Sequence, residues 1–428
     1  MSGVTAETGM RFSLRLAAAA LLVVSSVFAV GDPALLINDP TVKAALAAAQ
    51  RNEPWTLDEQ VRITEIPAPP FNEGARAREF ERLFRELGLK DVRIDAEGNV
   101  IGVRPGERPA PNIVISAHLD TVFAPEVNVK VRREGTRLTG PGITDNGRGL
   151  AAMLSVIRAL DEGGVRTPGT LTFVATVGEE GLGDLRGVKA IFASTLKDQV
   201  DAFIAIDVPS GDGAGPNRFT VTGVGSYRYK VTFKGTGGHS YGAFGLANPI
   251  HALGRAVAKI GEIRVPAQPR TTFNVGRIGG GTSVNSIAFE AWMEVDMRSE
   301  SMPALDAVKT QVLAAVDAAV TEESARWNGR GNLSVDVQSI GVRPAGSTAM
   351  DSPLVRSAMG TITALGLQPI TNASSTDSNV PMALGIPAIT IGGGGVGTGA
   401  HTLEETYDST DSHLGPQVAI LLAVALAR

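Results

Sequence analysis

The 428-residue sequence contains no cysteine. That excludes disulfides, thiolate metal sites and a cysteine nucleophile together. Any metal must therefore rest on His, Asp and Glu. Histidine is scarce, with five in the chain. The formal net charge is only −5, which gives no electrostatic case for nucleic acid. The glycine run Gly392–Gly395 is followed by no Lys-Ser/Thr, so it is no phosphate cradle. No internal repeat is visible. A serine hydrolase is disfavoured for want of a nucleophile elbow.

What is present suits a globular chain with two full cores: 43% hydrophobic and 19% charged residues. The N-terminus has Arg11 and Arg15 before an apolar stretch from Leu16 to Val30, then the small-residue spacing Val27-Phe28-Ala29. Charged, apolar, small is the order of a secretory signal, and the stretch is short for a membrane span of ~20 residues. The expectation is a signal peptide over 1–29 and export to the periplasm or medium; an N-terminal anchor is the alternative, and Met10 is a second candidate start.

Residues 32–52 read as a short amphipathic helix. Pro67, Pro69 and Pro70 then break helical structure. Phe80, Leu83, Phe84 and Leu87 recur at helical spacing until Gly88. Val92–Asp95 and Val100–Val103 form a strand pair turned at Gly98-Asn99. Strands at 113–117, 170–177 and 202–206 alternate with a helix at 148–161, predicting a mostly parallel sheet with helices on both faces. From about 215 the pattern changes. Strands at 219–223, 227–234, 271–277, 288–298 and 333–340 surround helices at 248–262 and 303–327, a βαββαβ order. The α/β pattern returns with a helix at 353–365, a strand at 386–391 and a helix at 416–427. The expected domains are a catalytic α/β unit over 30–214 and 342–428, interrupted by an α+β insert over 215–341.

Five segments carry acid and imidazole groups, most of them just after apolar runs: His118-Leu119-Asp120, Asp145, Glu179-Glu180, Asp207 and His401. Strand ends of one sheet can bring such residues to a single point. His118 and Asp120, two apart on extended backbone, project to one face. His118 is read as a ligand and Asp120 as the carboxylate that orients its ring. Asp145 stands ahead of a helix, where a lone Asp would cap, but its two oxygens could bridge two cations. Two adjacent buried glutamates repel unless a dication stabilises one, which leaves the other to accept a proton.

These segments resemble the M20 family of co-catalytic zinc peptidases and amidohydrolases. The likeness runs through Pro67-Ala68-Pro69 with Glu73, Gly98-Asn99-Val100, His118-Leu119-Asp120-Thr121-Val122 and Asp145-Asn146-Gly147. It continues through Glu179-Glu180-Gly181, Gly238-His239-Ser240, Asp296-Met297-Arg298, Thr376-Asp377-Ser378 and His401-Thr402. The resemblance implies two Zn2+ ions, with Co2+ or Mn2+ as substitutes. His118 and Asp207 would hold one, Glu180 and His401 the other, and Asp145 would bridge. Glu179 would be the general base. His239, Asn285 and Arg298 of the insert would bind substrate, and the insert would serve as a lid or as the contact of a homodimer. It also implies a cis peptide at Asp145–Asn146. Asp207 aligns with the aminopeptidase and dipeptidase side of the family, so the expected substrate is a short peptide. An N-acyl amino acid amidohydrolase or a carboxypeptidase is the alternative, and a metal- or peptide-binding protein without turnover is a third. Asn146 stands where a second acid or lysine is usual. His251 and His413 have no place in the pattern.

Overall fold

The computed structural model describes residues 30–208 and 215–428. The predicted signal peptide lies outside the described residues. The large sheet has nine strands. Its four central strands, Thr170–Thr176, Asn112–His118, Ala202–Asp207 and Ala388–Gly392, run parallel. Antiparallel pairings add Lys90–Ile94 and Val100–Arg104 on one side, Arg218–Gly223 and Gly346–Ser347 on the other, and Ile370–Ser374 pairs parallel with Arg218–Gly223 as the ninth strand.

The apolar runs are explained by burial on both faces. Ile113, Ile115, Phe173 and Ile204 face a thick helical layer. Val114, Val174, Phe203 and Ala205 face short helices on the other side. Phe173 and Phe203 are fully buried, and truncating either to Ala costs roughly 3–5 kcal/mol. Helix Gly147–Glu162 and the almost wholly buried helix Leu414–Leu426 belong to the thick layer. Among the described residues no helix is long and apolar enough to cross a membrane.

The insert is a four-stranded antiparallel sheet, in the order Thr271–Gly280, Glu290–Ser299, Gly225–Lys234, Ser334–Arg343. Helices Pro249–Gly261 and Met302–Arg326 cover one face. On Glu290–Ser299 burial alternates residue by residue: Ala291, Met293, Val295 and Met297 face the helices. Glu290, Trp292, Glu294, Asp296 and Arg298 take the helix-free face.

Three differences from the sequence reading have local causes. The strand at 219–223 was expected in the insert, but Arg218–Gly223 pairs with Ala388–Gly392 and Ile370–Ser374 in the large sheet. The chain therefore crosses between sheets at Val224, because strand periodicity says nothing about which sheet a strand joins. Glu53–Thr64 is a helix that the weak apolar pattern of Glu-Pro-Trp-Thr did not announce. The expected helix over 32–52 is two pieces, Pro33–Leu36 and Pro40–Arg51, the second restarted by Asp39, whose side chain accepts from Thr41 and Val42 N–H.

Candidate metal centre and active site

His118 and Asp207 are the last residues of two adjacent parallel strands. Glu179 and Glu180 follow the strand Thr170–Thr176 after the turn Val177-Gly178. His401 lies in the hairpin loop between Val396–Thr398 and Thr406–Asp408, beyond the glycine run. Asp145 precedes helix Gly147–Glu162, whose N-cap is Asn146: its side chain accepts from Gly149 N–H. A Cβ at Gly149 would stand 2.5 Å from the Ile206 carbonyl, so glycine there lets the turn close on the strand that ends in Asp207. The Asp145–Asn146 peptide is cis, as the resemblance implied.

Besides the group His118, Glu179 and Glu180, the side chains form two clusters that share Asp145. In one, His118 Nε2 is 3.0 Å from Asp145 Oδ1 and 3.5 Å from Asp207 Oδ1. In the other, His401 Nε2 is 3.2 Å from Asp145 Oδ2 and 2.9 Å from Glu180 Oε1. Although close to His118, Asp145 Oδ1 is off the line of a ring N–H. It is left buried without a hydrogen bond. A buried, unpartnered carboxylate oxygen flanked by imidazole and carboxylate donors fits a divalent cation, and the all-N/O donor set fits zinc or a similar ion.

Without cations the cluster binds protons. Burial disfavours the His118 imidazolium, but Asp207, Asp120 and Asp145 outweigh it and push His118 well above the usual range. Hydrogen bonds to Asp145 and Glu180 push His401 up to about 11. Burial raises Glu180, and the Asp145 charge raises it further. Asp145 itself is depressed, because both imidazoles offset its burial.

Asp120 acts differently from expectation. Its backbone carbonyl, not its carboxylate, is the nearest group to His118 Nδ1, at 3.0 Å against 3.7 Å. The carboxylate instead accepts the backbone N–H groups of Glu179 at 3.0 Å and Glu180 at 2.8 Å. The carboxylate also stays 3.7 Å from the ring, close enough to favour its charged form. Asp120 thus fixes both glutamates, and through its carbonyl the imidazole.

Glu179 is buried against Arg343, the last residue of an insert strand: Nη1 donates to Oε1 at 2.9 Å, and Nη2 donates to the Glu179 carbonyl. Burial raises the Glu179 carboxyl well above its ordinary value, Arg343 opposes this, and Glu180 adds to it. Sequence reading missed Arg343. It also missed Glu405, whose buried carboxylate accepts from Gly142, Thr144 and Asp145 N–H and so holds the turn that presents Asp145. The doublet Glu404-Glu405 was visible, but nothing local separates the two; Glu404 is exposed.

The cavity over the cluster measures about 380 Å³ and is bordered by Arg228, Arg298 and Arg343 as well as the acids. A larger cavity of about 550 Å³, bordered by Trp55, Arg82 and Arg158, touches none of the metal-binding clusters. Of the three insert residues expected at the site, only Arg298 borders the smaller cavity. His239 and Asn285 lie together elsewhere on the insert, where Ser240 N–H donates to the Asn285 carbonyl. The spacing Gly-x-Ser-x-Gly does occur, at Gly238-His239-Ser240-Tyr241-Gly242. Its first two residues are themselves a two-residue strand and the rest is turn, so it is no strand-to-helix elbow. His251 is an exposed residue 3.5 Å from Glu323, and His413 caps the last helix.

A profile of Peptidase family M20/M25/M40 matches residues 114–427. The uncharacterized protein YqjE of Bacillus subtilis is 26% identical over 360 residues, 79% of this chain and 90% of that protein. The crystal structure of a tripeptidase from Staphylococcus aureus superposes with a TM-score of 0.72 and 25% identity, covering 88% of this chain and 99% of that one. The YXEP protein of Bacillus subtilis, described as a dinuclear metal binding peptidase, superposes with a TM-score of 0.65 and 18% identity, covering 88% and 98%.

Proposed function

Since the chain belongs to peptidase family M20/M25/M40, we propose that it is a di-zinc exopeptidase that cleaves the amide bond of short peptides with a free carboxylate. The observation that carries this is Asp145, placed with one oxygen in each of two donor clusters. His118 and Asp207 would hold one ion, Glu180 and His401 the other. When bound, two dications supply Lewis-acid polarisation and a more acidic water.

The chain's own groups do the rest. Glu179 takes the proton of the attacking water and passes it to the leaving nitrogen. Burial lifts its pKa toward the operating range that a general base needs. Arg298 orients the substrate through a carboxylate, which its fork geometry suits. His239 and Asn285 reach the substrate carbonyl only when insert and catalytic sheet come together, within one chain or across a homodimer.

The test is reconstitution with Zn2+, Co2+ or Mn2+, elemental analysis, and a screen of dipeptides, tripeptides and N-acyl amino acids read by product mass. Two ions per chain and release of a terminal residue are expected. A metal content near zero overturns the reading. Export is supported by the charged, apolar, small order at the N-terminus; a mature chain that retains residues 1–29 would refute cleavage.

A further inference from the structure

The insert places an arginine pair where a one-carboxylate substrate needs only a single arginine. In one row across three strands, Arg298 pairs with Ser226 and Ser226 with Arg343. In the next row Asp296 pairs with Arg228. Asp296 accepts from Arg228 Nε at 3.0 Å and from Arg298 Nε at 2.8 Å. It thus holds the two guanidiniums side by side on the helix-free face. Arg228 Nη1 also donates to the Gly181 carbonyl at 2.8 Å, directly after the Glu179-Glu180 pair. Among the described residues no partner takes the terminal nitrogens of Arg298 or Nη2 of Arg228, and both residues border the cavity.

Arg228 and Arg298 share the single carboxylate Asp296, so the pair presents one more positive charge than its own partner supplies. Asp296 counts as ionised: burial raises its carboxyl, but hydrogen bonds from Arg298 and Arg228 bring it below the ordinary value. The two guanidiniums thus offer separate donor sets, one for each carboxylate of a ligand.

We propose that the preferred substrate carries two free carboxylates, one for each arginine, and that Arg228 is the residue that selects for the second. Arg298 receives one carboxylate and Arg228 the other, each by charge-assisted hydrogen bonds. This rests on the hydrolase reading above and deepens it. The second carboxylate has two possible places, the side chain of an acidic residue on the leaving amine or the far end of a dicarboxylic acyl group.

Binding and turnover test it separately. Glutarate and butyrate, which differ by one carboxylate and have no scissile bond, are titrated calorimetrically into the metal-loaded full chain. Glutarate should bind at least ~10-fold tighter, Arg228→Gln should collapse that ratio toward one, and Arg228→Lys should keep part of it. A merely structural Arg228 would instead shift both ligands alike in both variants. Equal binding in the native protein, or a preference that survives Arg228→Gln, overturns the proposal. Turnover of Ala-Glu against Ala-Gln, and of N-succinyl-alanine against N-butyryl-alanine, shows on which side of the scissile bond the second carboxylate sits: faster cleavage of the member with two free carboxylates in either pair supports the proposal. If none is cleaved while the glutarate preference stands, the hydrolase reading fails and this one holds. If all are cleaved but glutarate and butyrate bind alike, the reverse is true.

Discussion

Arg343 grips Glu179 twice, by its carboxylate and by its backbone carbonyl, although the two residues are 164 positions apart. Both are almost fully buried. The pair joins the returning strand of the insert to the loop that carries the proposed base. Nearby, Val342 N–H donates to the Asp184 carboxylate and Lys189 to the Val342 carbonyl, so the same loop is held at several points.

Removing one partner of a buried pair leaves the other charge uncompensated. Arg343→Met should destabilise the protein by roughly 3–5 kcal/mol, read as a shift in urea midpoint. Adding Glu179→Gln should recover part of that loss, since the stranded charge is gone. Independent, additive effects would show that the two side chains are not coupled.

Glu179→Gln alone keeps an acceptor for Arg343 and removes the proton acceptor. Both ions should stay bound while turnover falls by at least ~10²-fold. Loss of metal in this variant would mean that Glu179 and Glu180 have exchanged roles.

Glu405 touches no substrate in this reading and acts through the Asp145 turn. Glu405→Gln offers one acceptor oxygen to three N–H donors. Metal affinity should drop ~10–100-fold in chelator competition while the circular dichroism spectrum is unchanged. Unaltered affinity would make Glu405 a bystander.

The metal-free protein should lose stability as pH rises. Burial pushes Asp377 up to about 6 against a hydrogen bond from Thr176. Burial, with the Asp145 charge, pushes Glu405 up to about 7. Both folded values lie above the unfolded ones near ~4, so the folded state binds more protons between them. Their contribution is present below about pH 4 and disappears as pH passes through about 6 and then about 7. His401 has the same sign at higher pH, discounted because half its side chain is exposed. The urea midpoint of chelator-treated protein should therefore be lower at pH 7.5 than at pH 5. Metal loading should flatten that slope, because cations displace the same protons.

His239→Ala should keep the fold and two ions yet lose most turnover. If it does, the insert must close over the substrate or be supplied by a second copy, because His239 does not border the cavity in this structure. Mixing it with Glu179→Gln then separates the two routes: regained activity requires sites shared across chains. Full activity of the single variant would make the insert purely structural.

The sequence by itself determined the donor chemistry and where it would gather. With no cysteine, only His, Asp and Glu could ligate. A strand buried on both faces has to read as an unbroken apolar run, so the polar residue that ends it, as His118 and Asp207 do, marks the carboxyl edge of the sheet. What only the tertiary structure decided was the company those residues keep. Arg343, Glu405 and Arg228 act through partners scores to hundreds of positions away, and such pairings leave no periodic trace in the chain. The same holds for Arg218–Gly223, whose alternation fits either sheet, and for Asp120, whose carboxylate packing brings within reach of two backbone donors as well as the imidazole.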